Sequence, residues 1–176
     1  MRIAYIDYCE CTNAIGWGIS LYTQGCVRKC KGCFSPQTWD IEGGREYTFI
    51  DENNICGTFK TTPYFNHLVI EGGEPLLTKN LKTILTLIEK VKATRSDIKI
   101  WIYTGYTYEQ LQERIKKNKD DYYLEPILRL ADVLIDGPFI QEKKDLTLAF
   151  KGSSNQRVID LQKTYAAAND IVLLDI

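Results

Sequence analysis

Three cysteines lie within eight residues of one another, at Cys26, Cys30 and Cys33. Cysteine thiolates hold iron–sulfur clusters, and a four-iron cube normally takes four of them. The spacing Cys-x3-Cys-x2-Cys supplies only three, which would leave one iron with an open coordination position. A substrate can bind at such a position and receive an electron there. The spacing therefore predicts a redox-active cluster whose open iron does chemistry.

Zinc is the competing interpretation of the same cysteines. A structural zinc site usually takes four ligands, and Cys9, Cys11 or Cys56 could supply the fourth. The sole histidine, His67, stands beside an apolar run and is expected to be a structural or surface residue, which disfavours His-dependent zinc sites. The spacing favours iron–sulfur over zinc, and the three remaining cysteines are expected to be reduced thiols.

Alternating strands and helices must position the cysteine loop. Apolar and β-branched runs predict strands at residues 1–7, 19–23, 68–70, 98–103 and 133–135, with 171–174 as a further candidate. Strand–helix alternation is typical of parallel β/α units, and eight complete units take about 250 residues. The α/β fold is therefore expected to be an incomplete parallel (β/α) barrel or an open sheet.

Helical patterns fill the gaps between the expected strands. Apolar residues at helical spacing over 81–91 predict one helix, with Asn80 as its N-cap. Thr107-x-x-Gln110 has the form of a capping box that starts the next helix, and a short helix is expected at about 126–130. Polar and glycine-rich residues follow the strands, where parallel β/α folds carry their functional loops.

Bulk composition indicates a single cytoplasmic domain over residues 1–176. The formal net charge is -1, with no basic block, so no electrostatic attraction to nucleic acid or to an anionic membrane is expected. No apolar run approaches the roughly 18 residues that a membrane span requires. The first seven residues look like a strand and lack the apolar region of a signal peptide.

The cysteine motif, followed directly by Phe34, resembles the signature of radical S-adenosylmethionine enzymes, and Gly72-Gly73-Glu74-Pro75 resembles their GGEP motif. The resemblance implies one [4Fe-4S] cluster on the three cysteines. It implies that the methionine moiety of S-adenosylmethionine chelates the open iron, and that one electron then releases a 5'-deoxyadenosyl radical. It also implies that the glycine turn and Glu74 receive the methionine ammonium, since glycines allow close approach and a carboxylate complements a cation.

Three later segments narrow the family. Residues 101–111, 131–139 and 151–160 resemble stretches of the anaerobic (class III) ribonucleoside-triphosphate reductase activating proteins. That resemblance implies a glycyl-radical-enzyme activase, whose adenosyl radical abstracts a hydrogen atom from a glycine of the anaerobic ribonucleotide reductase. The partners implied are that reductase and an electron donor such as flavodoxin or ferredoxin. The alternatives are the activase of another glycyl-radical enzyme (formate-lyase type), a small radical enzyme acting on a free metabolite, and a zinc- or cluster-bearing binding module.

Several residues around these motifs are expected to serve the cosubstrate. Gly32 permits a tight turn in the cysteine loop, and Phe34 after Cys33 is either a hydrophobic shield or ordinary core. Thr104 and Asp136 each follow a predicted strand and are expected to line the adenosine pocket, although turn chemistry alone would explain both. Asn155, Gln156 and Arg157 have two open interpretations, a contact with the partner or the ligand carboxylate, and a solvated turn.

Overall fold

The computed structural model describes residues 1–175 and contains a single sheet of seven strands. The strands are β1 (Arg2–Glu10), β2 (Trp17–Thr23), β3 (Arg45–Glu46), β4 (Phe65–Gly72), β5 (Lys99–Tyr103), β6 (Val133–Asp136) and β7 (Arg157–Asp160). The helices are α1 (Phe49–Thr61), α2 (Thr78–Thr94), α3 (Tyr108–Lys117), α4 (Leu124–Leu130) and α5 (Leu161–Ala166). The strand order is β3-β1-β2-β4-β5-β6-β7, so the sheet is open, with β3 and β7 at its edges.

The sheet is parallel only in its middle. Strands β2, β4, β5 and β6 pair in parallel, whereas β1 is antiparallel to β2 and to β3, and β7 is antiparallel to β6. The open-sheet alternative is confirmed, and the parallel pairing that strand–helix alternation predicts is present between β2, β4, β5 and β6 only. A parallel return needs a crossover, usually a helix. The loop from β1 to β2 is too short for one, and residues 137–156 between β6 and β7 contain no α-helix.

The two faces of the sheet have different neighbours. All five helices contribute to the larger core cluster, which also holds Leu68 and Ile70 of β4. Val69 between them belongs to a smaller cluster on the opposite face, with Trp101 and Ile135. Because side chains alternate between faces along a strand, the helices cover one face and the functional residues can collect on the other. Each buried Leu or Ile side chain stabilises this arrangement by ~1.5–3 kcal/mol.

Two helix starts were predicted, and one of them is wrong. Thr107 and Gln110 form the predicted capping box before α3, with Gln110 N–H donating to Thr107 Oγ1 at 3.3 Å and Thr107 N–H donating to Gln110 Oε1 at 3.0 Å. Asn80, in contrast, lies inside α2, and the N-cap is Leu77. Asn80 is fully buried, and its amide reaches the backbone oxygen of Glu74 at 3.4 Å. The amide of Asn80 therefore makes a tertiary hydrogen bond and does not cap the helix.

Residues 45–66 carried no prediction, and residues 171–174 were only a candidate strand. Residues 45–66 contain β3 and α1, and α1 buries only Ile55 and Phe59 among its apolar side chains, a pattern too sparse to recognise. The run at 171–174 lies antiparallel beside β7 through a single bridge between Ile159 and Leu173. Among the helices of residues 1–175, none has the length and apolar character needed for a bilayer crossing.

Candidate functional site

A cavity of about 550 Å³ opens at the carboxyl ends of the central parallel strands, on the face that the helices leave free. Most of the residues predicted to do chemistry line it together. They are Cys26, Cys30, Cys33, Phe34, Gly72, Gly73, Glu74 and Thr104. Gly32 and Asp136, also predicted as cosubstrate residues, do not line the cavity.

Backbone hydrogen bonds hold the cysteine loop in shape. The N–H of Cys26 donates to Trp39 O at 3.2 Å, and the N–H of Cys33 donates to Cys30 O at 3.1 Å. Gly32 has a φ of +73°, and a Cβ there would lie 2.1 Å from Gln141 Oε1. The backbone conformation therefore favours glycine at this position, while the Gln141 side chain could move away from an added Cβ. Burial raises the pKa of the Cys26 thiol.

The cysteine loop and the glycine turn are bonded to each other. The N–H of Gly73 donates to Thr23 O, and the N–H of Glu74 donates to Gly25 O, both at 2.9 Å. A Cβ on Gly73 would lie 2.4 Å from Gly25 O, so only glycine allows this approach. Gly72 has a φ of +101°, which also favours glycine. Two motifs that are distant in sequence thus form one continuous wall of the cavity.

The carboxylate of Glu74 is already occupied by protein donors. It is 1% exposed, and its Oε1 accepts from Thr104 Oγ1 at 2.7 Å and from the N–H of Leu76 at 3.1 Å. Its Oε2 accepts from the N–H of Gly105 at 2.9 Å. Burial raises the pKa of this carboxyl. Its geometry is that of an anchor between the glycine turn and the end of β5.

Arg28 lies between two of the cysteines and lines the same cavity. Its guanidinium stacks on Tyr106, with Cζ 4.3 Å from the ring centroid, and its Nε is 3.7 Å from Glu74 Oε2. A Cβ on Gly105 would come within 2.3 Å of Arg28 Cδ, so the missing side chain makes room for the arginine. No feature of the sequence separates Arg28 from the other basic residues of the loop.

Glu71 forms part of the cavity wall, and sequence reasoning missed it as a functional residue. Its Oε1 accepts from Asn13 Nδ2 at 2.7 Å, and Tyr103 OH donates to Asn13 O at 2.9 Å. Burial raises the pKa of Glu71 to about 7. The available signal was its position, since an acidic residue ends an otherwise apolar strand directly before the glycine pair.

His67 lies behind this wall and is fully buried, so the structural interpretation holds and the surface one is wrong. Its Nδ1 lies 3.0 Å from Asn66 Oδ1, and its Nε2 faces Glu10 Oε2 at 3.7 Å. The hydroxyl of Ser20 donates to the same Glu10 oxygen at 3.3 Å. The other Glu10 oxygen, Oε1, accepts from the N–H of Asn13 at 2.9 Å, so Glu10 links His67 to a residue that lines the cavity.

Asp136 sits outside the cavity, in an ion-pair network with Arg157. Asp136 is 1% exposed and accepts from Arg157 Nε at 3.0 Å and from the N–H of Tyr108 at 2.7 Å. Arg157 also donates two hydrogen bonds of 2.9 Å to Glu109. The guanidinium of Arg157 is fully used by protein carboxylates, so it has little left to offer a ligand.

Asn155 and Gln156 hold the turn that follows β6, and the solvated-turn interpretation is wrong for both. Asn155 Nδ2 donates to Pro138 O at 2.8 Å, and Gln156 Nε2 donates to Gly137 O at 3.1 Å. Gly137 and Gln156 line the cavity. These two side chains therefore shape the wall of the site through the backbone that they hold.

Cys9, Cys11 and Cys56 do not belong to the cavity. Cys9 and Cys11 are exposed, Cys56 is half-buried against the main core, and all three are free thiols. In the described range 1–175, no three His, Cys, Asp or Glu side chains lie close enough together to hold one metal ion.

Residues 12–159 match the model of a protein family described as a 4Fe-4S single cluster domain. An anaerobic ribonucleoside-triphosphate reductase-activating protein from Vibrio cholerae is 36% identical over 84% of this chain and 90% of its own length. A protein of the same name from Haemophilus influenzae is 33% identical over 86% of this chain and 94% of its own length. Another, from Escherichia coli K12, is 31% identical over 87% of this chain and 94% of its own length.

The residues of the cavity fit a four-iron cluster. The three thiols that line it supply three of the four thiolates that such a cluster normally takes, which would leave one iron without a protein thiolate. The buried Nε1–H group of Trp39, another cavity residue, has no hydrogen-bond partner within residues 1–175. Buried donors normally have acceptors, and hydrogen bonds to sulfur are among the interactions that set the potentials of such clusters. The N–H of Ser35 already donates to Cys33 Sγ at 3.3 Å.

Proposed function

Because the chain belongs to the family of anaerobic ribonucleoside-triphosphate reductase-activating proteins, we propose that it is a glycyl-radical-enzyme activase of the radical S-adenosylmethionine type. Its target is a glycine of the anaerobic ribonucleotide reductase. When bound, the [4Fe-4S] cluster supplies the electron that cleaves S-adenosylmethionine to methionine and the 5'-deoxyadenosyl radical, which abstracts the hydrogen atom. The protein works in the cytoplasm as one radical S-adenosylmethionine domain over residues 1–176.

One observation carries this proposal. The cysteine loop and the glycine turn share one cavity and are joined by backbone hydrogen bonds of 2.9 Å from Gly73 and Glu74. The reaction needs a cosubstrate that touches the cluster and is held by the protein at the same time. Chemistry of this kind depends on positioning the reacting groups, and the cofactor contributes the difficult electron transfer.

The proposed residue roles follow from this geometry. Cys26, Cys30 and Cys33 hold the cluster, and Gly32 gives the loop its turn. The backbone at Gly72 and Gly73 receives the methionine ammonium, for which their exposed peptide groups offer close approach. Glu74 anchors the glycine turn through its hydrogen bond with Thr104. Asp136 positions the next residue, Gly137, at the cavity wall. Phe34 and Phe139 together shield the side of the cavity that holds the cluster.

The cavity must also keep other hydrogen donors away from the radical. Phe34, Phe139, Leu146, Leu148 and Phe150 line its outer part and offer an apolar cover. The phenol of Tyr103 is engaged with Asn13 O at 2.9 Å, and burial raises its pKa. An apolar cover of this kind restricts the radical to the hydrogen atom that the target protein presents.

Electron paramagnetic resonance tests the proposal. The cluster is reconstituted anaerobically and reduced by flavodoxin, ferredoxin or a chemical donor, and S-adenosylmethionine and the reductase are added. We expect a glycyl doublet that disappears when the target glycine of the reductase is replaced by alanine. Cleavage of S-adenosylmethionine without a radical on the reductase would point to another glycyl-radical enzyme or to a free metabolite. Absence of cleavage by the loaded, reduced protein would overturn the radical chemistry itself.

A further inference from the structure

Arg28 points unused hydrogen-bond donors at the cavity. Its Nε is buried without a partner, and within residues 1–175 no oxygen accepts a hydrogen bond from its guanidinium. The carboxylate of Glu74, at 3.7 Å, is beyond hydrogen-bond distance. That carboxylate is also satisfied without the arginine, through Thr104, Gly105 and Leu76. A cavity arginine with unspent donors is a site for an anion.

The guanidinium is fixed in place although it lacks acceptors. Two guanidinium groups lie over the ring of Tyr106, that of Arg28 at 4.3 Å and that of Arg114 at 4.5 Å from its centroid. Such stacking holds a guanidinium flat on an aromatic face while its edge stays free to donate. Gly105 provides the space for the Arg28 side chain. In Arg157, by contrast, the donors are consumed by Asp136 and Glu109.

We propose that Arg28 binds the carboxylate of the methionine moiety of S-adenosylmethionine, with Tyr106 and Gly105 as its positioning residues. The inference rests on the proposed function, which places this cosubstrate at the glycine turn. S-adenosylmethionine has one anionic group, its carboxylate, whereas its ammonium and sulfonium are cations that Arg28 repels. A planar guanidinium matches a carboxylate in both charge and geometry. Arg28 therefore fixes which end of the methionine moiety faces the cysteine loop.

Ligand pairs that differ only in the carboxylate test this assignment. Binding of S-adenosylmethionine and of decarboxylated S-adenosylmethionine is measured by anaerobic equilibrium dialysis against the cluster-loaded protein. Arg28→Gln should weaken binding of the intact ligand roughly 10- to 100-fold, because a charge-assisted hydrogen bond is lost. Binding of the decarboxylated ligand should stay within about twofold of the wild type, since Arg28 has nothing to pair with there.

Two further variants keep the result interpretable. Arg28→Lys retains the charge but loses the planar guanidinium. Its affinity for the intact ligand should lie between those of the wild type and of Arg28→Gln, and its affinity for the decarboxylated ligand should not change. Lys143→Ala removes one positive charge from an exposed side chain that forms no hydrogen bond or ion pair within residues 1–175 and lies two positions after Gln141, the neighbour of Gly32. It should leave both affinities unchanged. Iron content and circular dichroism confirm that each variant is folded and loaded.

The outcomes separate this assignment from the proposed function. If Arg28→Gln or Arg28→Lys weakens both ligands equally, or neither, the carboxylate assignment is overturned while the radical S-adenosylmethionine function stands. If loaded wild-type protein binds neither ligand, the proposed function fails, and the assignment fails with it. The assignment is supported if both variants lose affinity for the intact ligand only, and if Arg28→Gln loses more than Arg28→Lys.

Discussion

The hydroxyl of Thr104 donates a hydrogen bond of 2.7 Å to Oε1 of Glu74, and both side chains are buried. This bond joins the end of β5 to the glycine turn that follows β4. The N–H of Gly105 adds a second bond to the same carboxylate, 2.9 Å long, at Oε2. The shape of the cosubstrate wall therefore depends on the neighbouring strand and not on the glycine motif alone.

Thr104→Val should weaken this link without disturbing the cysteines. Valine keeps the shape of threonine but removes the donor, which leaves the buried Glu74 carboxylate short of one hydrogen bond at a cost of about 1–3 kcal/mol. We expect a lower thermal midpoint and weaker S-adenosylmethionine binding, with iron content unchanged. Thr104→Ser keeps the hydroxyl and should resemble the wild type. Equal behaviour of the valine and serine variants would show that the hydrogen bond is unimportant.

Cys30→Ala should abolish both the cluster signal in electron paramagnetic resonance and the cleavage of S-adenosylmethionine. The variant keeps only two cavity thiols, and no other cysteine can replace the third because Cys9, Cys11 and Cys56 lie outside the cavity. Cys9→Ala is the matched control, since it removes an exposed thiol outside the cavity. It should retain full iron content and cleavage. A Cys30→Ala variant that still cleaves the cosubstrate would refute the ligand assignment.

Glu71 should make stability depend on pH near neutrality. Burial raises its pKa from 4.5 to about 7, so the folded state holds a proton that the unfolded chain has released. The contribution of this protonation to the free energy of unfolding is complete below about pH 4.5 and is lost as the pH rises through about 7. That contribution amounts to at most ~3 kcal/mol. Stability measured against pH should therefore fall more steeply for wild type than for Glu71→Gln over this window.

The Glu71→Gln variant preserves an oxygen that can accept from Asn13, so the comparison isolates the charge. Glu89→Gln on the exposed side of α2 is the control, and it should follow the wild-type pH dependence. Thermal midpoints of the cluster-loaded protein between about pH 5 and pH 8 provide the measurement. Parallel curves for wild type and Glu71→Gln would contradict the raised pKa.

Local patterns predicted local structure well. The capping box of Thr107 and Gln110 forms as expected because both residues act on the same helix end. The predicted central strands are also present, since their apolar runs depend only on burial. The cysteine loop and the glycine turn meet because both follow adjacent parallel strands, β2 and β4. Motif spacing and strand alternation together were sufficient for that part of the site.

Residues whose role depends on distant partners could not be assigned from sequence. Asn80 has the residue type of an N-cap, yet it is buried against Glu74. Asp136 follows a strand as Thr104 does, but it pairs with Arg157 from the antiparallel edge strand β7, whose direction the strand–helix pattern did not indicate. Arg28 is distinguished from its basic neighbours by its stacking on Tyr106 and by a buried Nε that has no hydrogen-bond partner within residues 1–175. In each case the deciding contact comes from another element.

Arg157→Met should destabilise the fold much more than the loss of an exposed ion pair. The variant leaves Asp136 buried with the N–H of Tyr108 as its remaining donor, and breaking a buried pair from one side costs roughly 3 kcal/mol or more. In a chain of this size that lowers the thermal midpoint by roughly 6–12 °C. Lys117→Met breaks an exposed helical pair with Glu113 and should leave the thermal midpoint nearly unchanged, because solvent screens such a pair. Similar midpoints for the two variants would mean that the Asp136 carboxylate finds another partner or solvent, and that the network around β7 contributes little to the wall of the cavity.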